Sequence, residues 1–331
     1  MEGILLWGLV FAVSTTVLIK GADWLLWSSE RLGLAAGFSP FVVGVLIVSL
    51  GTSFPELIAA FFAAFQGVSE FAAANAVGSN LANILLVVGF SAVIAGRLAV
   101  SKSLIDIELP LLAVGTVLFL GVAWDGNVSG FEAALMIAAY GIYLLYTLFH
   151  KEEVASEDQD VLPGRSERRG HISHKNDPDI PPRLSALDIG FFVGGVILLA
   201  AGSKYLIDSV VALSELLQIG VGVITITAVA IGTSLPELFV SVKAALQKHT
   251  EVALGNVFGS NAFNMMIVVG LPALFFGAEI DEQTYAIGLP ALAAVTLIFI
   301  ISGISRRIHI WEGAMYLVLY LLFLVLLWGA L

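Results

Sequence analysis

Long apolar stretches, separated by short polar connections, cover most of the chain. A helix that crosses a bilayer needs about 20 mostly apolar residues. The first stretch has no basic start and no cleavage-like site, so we interpret it as a retained span. The pattern predicts an all-α integral membrane protein with about ten transmembrane helices, near residues 4–28, 40–65, 71–95, 104–124, 131–149, 186–211, 220–246, 251–276, 284–303 and 311–330.

One long polar segment lies between the fifth and sixth predicted spans. Residues 150–185 are rich in Glu, Asp, Arg and Pro, a composition typical of a solvated linker. We therefore predict a first five-helix repeat at 1–149, a polar cytoplasmic linker at 150–185 and a second five-helix repeat at 186–331.

The two predicted halves share glycine and polar positions at one constant spacing. The matched residues, each pair 181 positions apart, are Gly21 and Gly202, Gly51 and Gly232, Asn75 and Asn256, Ser79 and Ser260, Asn83 and Asn264, and Gly96 and Gly277. Internal repeats of this kind are typical of secondary transporters. Because five spans carry the chain to the opposite side of the membrane, the two repeats must be inverted.

Basic residues indicate the orientation, because they are concentrated in the odd-numbered connections between spans. Those within or beside these connections are Arg31, Arg97, Lys102, Lys151, Arg165, Arg168, Arg169, Lys175, Arg183, Lys248, Arg306 and Arg307. The even-numbered connections carry only Lys204. By the positive-inside rule, we expect a multi-pass protein of the cell membrane with a cytoplasmic linker and both termini outside. Lys20, in the first span, is expected to face a water-filled gap or to pair with Asp23.

Composition and charge narrow the functional classes. Of the 331 residues, 59% are hydrophobic and 12% are charged, against about 45–50% and about 25% in soluble domains. Much of the acid behind the net charge of −11 lies in the linker and at helix ends, which indicates solvation. No basic patch with interleaved aromatic residues points to nucleic acid. The chain has no cysteine, so disulfides and thiolate metal sites are excluded.

The stretch GTSFPEL at 51–57, with its second copy GTSLPEL at 232–238, stands inside predicted spans. Pro55 and Pro236 have no N–H for the carbonyl four residues back, so both spans are predicted to break near mid-membrane. Carbonyls that a break leaves without partners are unfavourable in lipid. Glu56 and Glu237 come directly after the two prolines. Buried carboxylates are also unfavourable in lipid unless they are paired.

The next span of each half carries a polar stripe. In NAVGSNLAN, the residues Asn75, Ser79 and Asn83 are four positions apart and share one helix face. NVFGSNAFN repeats the stripe at 256–264. We expect the two stripes to face the two broken helices across the pseudo-two-fold axis.

Carboxylates, carbonyls and hydroxyls around one point suit a hard cation such as Ca²⁺, which takes about six to eight oxygen ligands. Thr52, Ser53, Thr233 and Ser234 place hydroxyls beside the two glutamates. Other interpretations stay open for each feature alone. A Pro-Glu pair can merely kink a helix, Asn and Ser can hold helices together, and hydroxyls can bond back to their own helix.

The doubled GTS-x-PE and G-S-N-x-x-N motifs resemble those of the sodium/calcium exchangers, within the cation/calcium exchanger superfamily, over nearly all of the membrane region. The resemblance implies that Glu56 and Glu237, with the carbonyls of Thr52 and Thr233, bind Ca²⁺. The further residues that it implies for Na⁺ sites and the centre are Ser53, Ser79, Ser234, Ser260, Asn83, Asn264 and the backbone of Ser49 and Ala230. It also implies that the first and sixth spans slide as a gate.

Two departures from the family pattern matter. Position 264 is Asn, whereas many relatives, including potassium-dependent exchangers, carry Asp. This difference argues against K⁺ co-transport and leaves the stoichiometry open. The linker is too short for the calcium-sensing domains of animal exchangers, so the chain resembles a prokaryotic-type exchanger. We expect no cofactor and no obligate protein partner beyond the lipid bilayer and the substrates Ca²⁺ and Na⁺.

These patterns predict a secondary active antiporter that exchanges Na⁺ for Ca²⁺ by alternating access. Two carboxylates neutralise one Ca²⁺, so the family's three-for-one exchange would be electrogenic. An antiporter of H⁺ or another cation against Ca²⁺ at the same glutamates stays open, because buried carboxylates protonate readily. A channel is disfavoured because no continuous polar pore is visible. An enzyme is disfavoured because no span contains His or Cys and no HExxH motif occurs.

Overall fold

The computed structural model describes residues 2–35, 48–100, 108–160, 185–218, 230–246 and 250–329. In the first half the helices are α1 (Glu2–Ala35), α2 (Val48–Thr52), α3 (Phe54–Phe65), α4 (Phe71–Leu81), π-helix π1 (Ala82–Val88), α5 (Gly89–Ala95), α6 (Leu109–Val122), a 3₁₀ turn (Ala123–Asp125) and α7 (Gly130–Asp160). In the second half they are α8 (Ala186–Leu217), α9 (Ala230–Thr233), α10 (Leu235–Leu246), α11 (Thr250–Phe263), π2 (Asn264–Val268), α12 (Gly270–Phe276), π3 (Thr284–Gly288), α13 (Leu289–Ile304) and α14 (Ile310–Gly329).

These helices group into the expected membrane spans. Among the described residues, seven helical stretches are long and apolar enough to cross a membrane, and 54–65 and 109–125 are shorter apolar helices. Several spans are assembled from pieces, such as α2 with α3, or α4 with π1 and α5. The predicted fold class is confirmed: the protein is an all-α integral membrane protein of about ten transmembrane helices in two inverted five-helix repeats.

Two short antiparallel sheets reflect the repeat at the ends of the spans. Strand β1 (Arg97–Ala99) pairs with β4 (Arg307–His309), and β2 (Asn127–Val128) pairs with β3 (Ala278–Glu279). The repeat relates β1 to β3 and β2 to β4, so each sheet is the pseudo-symmetric copy of the other. Each sheet therefore ties a connection of one half to a connection of the other half.

The centre of the molecule is formed by the third span of each half. The stretches Phe71–Ala95 and Ala253–Phe276 are mostly buried, whereas Gly3–Gly21 and Ala186–Leu217 expose most of their surface. An apolar helix that is buried on all sides belongs to a core. The polar stripes predicted on α4 and α11 therefore lie in the middle of the protein.

Helices α1 and α8 pack along each other at the periphery. A Cβ at Gly202 would lie 2.9 Å from Leu18 Cγ and 3.1 Å from the Leu18 backbone N, so only glycine allows this approach. Near one end of the pair, Arg31 Nε lies 2.6 Å from Asp188 Oδ1. Lys20 pairs with Asp23 at 3.4 Å on the exposed face of α1, which is one of the two outcomes expected for it.

The last helix of the first half is longer than the predicted fifth span. Helix α7 continues beyond the predicted end of the fifth span at 149 and reaches Asp160. Residues 161–184, the first turns predicted at 40–47 and 220–229, and Lys102 and Lys248 lie outside the described residues.

Candidate ion-binding site

The second span of each half is interrupted where the proline motif predicted it. Helix α2 ends at Thr52, Ser53 (φ −92°, ψ 4°) stands between the helices, and α3 begins with Pro55 in its first turn. The interruption is a single residue, because Ser53 N still donates to Ser49 O and Leu57 N to Ser53 O, each at 3.2 Å. The break is therefore sharper than an unwound segment.

The break in the second half has the same form. Helix α9 ends at Thr233 and α10 begins at Leu235, with Leu238 N donating to Ser234 O at 3.1 Å. Each glutamate thus stands in the first turn of a 12-residue helix, Glu56 in α3 and Glu237 in α10. The positive end of a helix dipole favours an anionic group at this position.

The two glutamates form the electrostatic centre of the site. Both side chains are completely buried, and they lie near enough to repel each other. Since they come from opposite halves of the chain, only the folded pseudo-two-fold arrangement brings them together. Two neighbouring buried carboxylates are unfavourable without a positive partner, so their arrangement suits a cation.

Hydroxyl groups from both halves surround Glu237. Its Oε1 accepts hydrogen bonds from Ser53 Oγ at 3.0 Å and from Ser260 Oγ at 3.4 Å. The Thr52 side chain also lies beside it. Glu237 belongs to the second half of the chain, whereas Ser53 and Thr52, two of its three hydroxyl neighbours, belong to the first half.

The environment of Glu56 mirrors this arrangement. The side chains of Thr233 and Ser79 lie beside Glu56, as Thr52 and Ser260 lie beside Glu237. Both carboxylate oxygens of Glu56 are buried and accept no hydrogen bond within 3.5 Å from the described residues. Burying an acceptor without a partner is unfavourable, which again fits a site built for a cation.

The carbonyl of Ser49 joins the two halves beside the glutamates. It accepts Ser53 N at 3.2 Å, Thr52 Oγ1 at 3.2 Å and Ser260 Oγ at 3.4 Å. Ala230, its counterpart, is the first residue of α9, and only its backbone is described. The structure thus places a carbonyl at the site from the first half, and the Ala230 carbonyl stays a prediction.

Asparagines on the central helices extend the polar centre. Asn83 Nδ2 donates to Asn261 Oδ1 at 3.1 Å, and Asn80 Nδ2 donates to Asn261 O at 3.2 Å. Asn264 is completely buried, and neither of its amide atoms has a partner among the described residues. The sequence reasoning missed Asn80 and Asn261, although both stand in the repeated GSN triplet that could have revealed them.

A second amide links the stripe to the broken helix. Thr52 Oγ1 lies 3.2 Å from Asn256 Oδ1, and Asn256 Nδ2 donates to Ser241 Oγ at 3.2 Å. Ser241 Oγ in turn donates to Ala253 O at 3.2 Å. This chain fixes the orientation of Asn256 and holds Thr52 next to α11.

Both central helices change to π-helical geometry at the stripe. Helix π1 begins at Ala82, just before Asn83, and π2 begins at Asn264 itself. A π-helix is rare and is frequently found at functional sites, because its extra residue per turn changes where side chains point. The spacing predicted from a regular helix therefore holds for Asn75 and Ser79 but changes at Asn83.

The donors gathered here are carboxylate, hydroxyl, carbonyl and amide oxygens. The structure brings together the expected side chains Glu56, Glu237, Thr52, Thr233, Ser53, Ser79 and Ser260 in the buried centre. Asn83 on π1, Asn264 on π2 and Ser234 between α9 and α10 are buried as well. Such a set is selective for hard cations.

This chain is similar to known membrane proteins over most of its length. The family model described as sodium/calcium exchanger protein matches residues 6–149 and 187–329. The sodium/calcium exchanger MaX1 of Methanosarcina acetivorans is 33% identical, over 98% of this chain and 97% of that protein. The inner membrane protein YrbG of Escherichia coli is 30% identical, over 87% of each.

A solved structure has the same fold. The sodium-calcium exchanger NCX_Mj, soaked with 2.5 mM Na⁺ and 10 mM Sr²⁺, superposes with a TM-score of 0.64 at 26% identity, over 96% of this chain and 98% of that one. A more distant relative, the vacuolar cation/proton exchanger 1a of Oryza sativa, is 25% identical over 94% of this chain and 73% of its own length.

The inverted repeats and the doubled oxygen-lined site define a secondary transporter of cations, not an enzyme. The chain belongs to the sodium/calcium exchanger family, and its general activity is exchange of a cation against Ca²⁺. It is therefore a multi-pass membrane protein whose substrates are cations.

Proposed function

We propose that this protein is a Na⁺/Ca²⁺ antiporter that works by alternating access. The observation that carries the proposal is the ring of hydroxyls around the two glutamates. Ser53 and Ser260 reach Glu237 at 3.0 and 3.4 Å, and Ser79 and Thr233 lie beside Glu56. Na⁺ needs several oxygen ligands, whereas a proton needs only the carboxylate, so the added oxygens favour Na⁺ as the counter-ion.

Competition for the same charges explains antiport. One Ca²⁺ neutralises Glu56 and Glu237, and Na⁺ ions at Ser53, Ser79, Ser234 and Ser260 would neutralise the same carboxylates. The site therefore binds either Ca²⁺ or Na⁺ at any one time, but not both. With three Na⁺ per Ca²⁺ the loaded site carries one extra positive charge, which makes the exchange electrogenic.

The halves at 1–149 and 186–331 would alternate access on either side of this site, joined by the 150–185 segment. The long exposed helices α1 and α8 are well placed to slide over the site as the gate. The excess of basic residues in the odd-numbered connections supports a cytoplasmic linker and external termini.

Asn264 supports independence from K⁺. Its amide is neutral, so the site has two carboxylates where relatives with Asp at this position have three. With two carboxylates instead of three, the site has less negative charge with which to balance a co-transported K⁺. Asn264→Asp is the variant that would add this charge back.

The test is radioactive Ca²⁺ uptake into proteoliposomes of the purified protein at clamped voltage. Uptake would be compared with internal Na⁺, with internal K⁺ and with an imposed pH gradient. We expect Ca²⁺ uptake only when an outward Na⁺ gradient is imposed across the proteoliposome membrane. The alternative function, an H⁺/Ca²⁺ antiporter, is favoured by the rice vacuolar relative. Uptake that follows the pH gradient and ignores Na⁺ would establish that alternative and overturn the proposal.

A further inference from the structure

Two asparagines on the central helices join the halves of the chain beside the ion-binding site. Asn80 of α4 and Asn261 of α11 are the last residues of the two GSN triplets, 181 positions apart, and both are completely buried. Asn80 Nδ2 donates to Asn261 O at 3.2 Å, and Asn83 Nδ2 of π1 donates to Asn261 Oδ1 at 3.1 Å. Asn261 therefore accepts two hydrogen bonds from the first half.

The inverted repeat defines a mirrored pair of bonds that is not formed among the described residues. Exchanging the halves turns the two observed bonds into donation from Asn261 Nδ2 to Asn80 O and from Asn264 Nδ2 to Asn80 Oδ1. Asn261 Nδ2, Asn264 Nδ2 and Asn80 Oδ1 are all buried and have no hydrogen-bond partner in the part of the chain that the structure describes. The three side-chain atoms that the mirrored bonds need are thus atoms left without partners.

The burial of these atoms indicates that the two pairs of bonds exclude each other. A buried amide atom without a partner is unfavourable. Both pairs would therefore form together if the packing of α4 against α11 allowed it, yet one pair is made and the other is not. The crossing of the central helices lets Asn261 hold the first half, or Asn80 hold the second half, but not both at once.

The same inequality is present one turn earlier on the stripes. Asn256 is bonded at both amide atoms, to Thr52 Oγ1 and to Ser241 Oγ, each at 3.2 Å. Its equivalent, Asn75, is buried with no partner for either amide atom among the described residues. The one-sided bonding is therefore a property of the whole crossing and not of a single side chain.

The one-sided bonds give Asn83 and Asn264 different roles in this structure. The nitrogen and the oxygen of an amide point in different directions, so Asn83, whose nitrogen is held by Asn261, directs its oxygen elsewhere. That oxygen is buried without a partner among the described residues, which leaves it available to a cation. Neither amide atom of Asn264 is held in this way. Asn261 thus fixes the orientation of one member of an otherwise equivalent pair.

We propose that Asn80 and Asn261 are positioning residues of the ion-binding site, and that each orients the asparagine of the opposite half in one access state. In the state of this structure, Asn261 turns the Asn83 oxygen towards the cation. In the opposite state the mirrored bonds form, and Asn80 orients Asn264. The inference rests on the proposed place of Asn83 and Asn264 at the cation site, and it holds for either counter-ion.

The first test is a double-mutant cycle that measures Ca²⁺ affinity. Ca²⁺ titrations monitored by thermal unfolding would compare wild type, Asn83→Ala, Asn261→Leu and the double variant. We expect Asn261→Leu to weaken Ca²⁺ binding about three- to tenfold, the effect of one lost hydrogen bond. The double variant should bind Ca²⁺ as Asn83→Ala does, because Asn261 acts through Asn83. Asn264→Ala combined with Asn261→Leu is the matched control, in which the two effects should multiply.

Asn261→Asp separates positioning from packing, and it decides the question even if Asn261→Leu fails to fold. Aspartate keeps the shape of the side chain and an oxygen that accepts from Asn83 Nδ2. Asn83→Ala should therefore weaken Ca²⁺ binding by the wild-type factor when Asn261→Asp is present, but by little when Asn261→Leu is present. Each comparison is made within one background, so the added charge cancels. If Asn83→Ala had no effect beside Asn261→Asp, the positioning role would be overturned.

Ca²⁺ uptake into right-side-out and everted vesicles tests the exchange between the two pairs of bonds. We expect Asn261→Leu to raise the half-maximal Ca²⁺ concentration on one face of the membrane and Asn80→Leu to raise it on the opposite face. The maximal rate should change little, whereas a general loss of folded protein would lower it. Equal rises on both faces in Asn261→Leu would show that one pair of bonds persists in both states and would overturn the exchange.

The outcomes separate this inference from the proposed function. Asn83→Ala with wild-type Ca²⁺ affinity would remove Asn83 from the cation site and overturn this inference, while Na⁺-dependent uptake would still decide the proposed function. If Asn83→Ala weakens Ca²⁺ binding, but the effect of Asn261→Leu multiplies equally with Asn83→Ala and with Asn264→Ala, the cation site stands. That result would reduce Asn261 to a packing residue between the central helices.

Discussion

Glu56 and Glu237 are the residues on which transport depends most directly. They are completely buried, repel each other and stand in the first turns of α3 and α10. A neutral amide of the same shape keeps the packing while it removes one of the two charges that balance Ca²⁺.

Glu56→Gln and Glu237→Gln are each expected to abolish Ca²⁺ flux and to weaken Ca²⁺ binding by about two orders of magnitude or more, because ligand charge sets Ca²⁺ affinity. Without cations, each variant should unfold at a higher temperature than wild type, since the repulsion is gone. Ca²⁺ titrations monitored by thermal unfolding would measure both effects, with exposed Glu282→Gln as control. Wild-type flux in either variant would refute the assignment.

Glu70, between α3 and α4, makes a different electrostatic contribution, outside the spans. Partial burial, followed by the charges of Asp281 and Glu279, raises its pKa above the ordinary value for a glutamate. The folded state therefore binds this proton more tightly than the unfolded state. The ionised form is less stable in the folded state than in the unfolded state, and this penalty disappears as the pH falls below the ordinary glutamate pKa of 4.5.

Glu70→Gln should consequently stabilise the protein at pH 8 by less than about 1 kcal/mol, because the half-exposed side chain is screened by solvent. The gain should shrink as the pH is lowered towards 5. Unfolding temperatures across this pH range would measure it, with Glu282→Gln as a control at the same end of the molecule. A gain that is constant with pH would show that the effect is not electrostatic.

Among the helices, α1 and α8 are joined near one end by an ion pair and by aromatic contacts. Asp188 is buried at the start of α8, where Ser185 and Asp188 form a capping box. The same carboxylate pairs with Arg31 of α1 at 2.6 Å, and Trp27 lies under the Arg31 guanidinium while packing edge-on against Phe191. The pair therefore couples the two helices on the linker side.

Asp188→Asn keeps an oxygen for the helix cap but removes the charge that holds Arg31. We expect a lower unfolding temperature, because the variant removes the carboxylate that pairs with the partly exposed Arg31 guanidinium. Arg31→Met should lower the unfolding temperature by a similar amount. The double variant should lower it by less than the sum of the two single effects. Thermal unfolding of the four proteins would measure the coupling, and strict additivity would mean that the helices are not held by this pair.

At the scale of the whole molecule, the inverted repeat assigns the two small sheets to opposite faces of the membrane. Sheet β1–β4 belongs to connections of odd number and sheet β2–β3 to connections of even number. Their pseudo-symmetric pairing across the halves is what an inverted repeat requires. Because the chain has no cysteine, single introduced cysteines report the topology without interference.

His309→Cys on β4 should react with a membrane-impermeant maleimide only in everted vesicles, and Asn127→Cys on β2 only in right-side-out vesicles. Both positions are exposed at strand positions that face solvent. Labelling of both from the same side would contradict the inverted arrangement. Labelling in the reversed pattern would keep the inversion but place the linker outside.

The spans, the repeat and the charged motif could all be predicted from the sequence, because each depends on local chemistry. Twenty apolar residues define a span, and Pro55 lacks the N–H that a continuous helix needs. The constant spacing between Glu56 and Glu237 revealed their equivalence. The family followed from the same doubled motif, and the position of the break at Ser53 agreed with the proline.

How those parts meet could not be predicted, because it depends on the packing of the folded chain. The hydrogen bond from Asn83 to Asn261, the crossing of hydroxyls from one half to the glutamate of the other, and the approach of Tyr143 to Gly259 all join residues far apart in the chain. The change to π-helix at Asn83 and Asn264 also depends on central packing. Such contacts arise from the close approach of buried helices, a property that no single stretch of sequence contains.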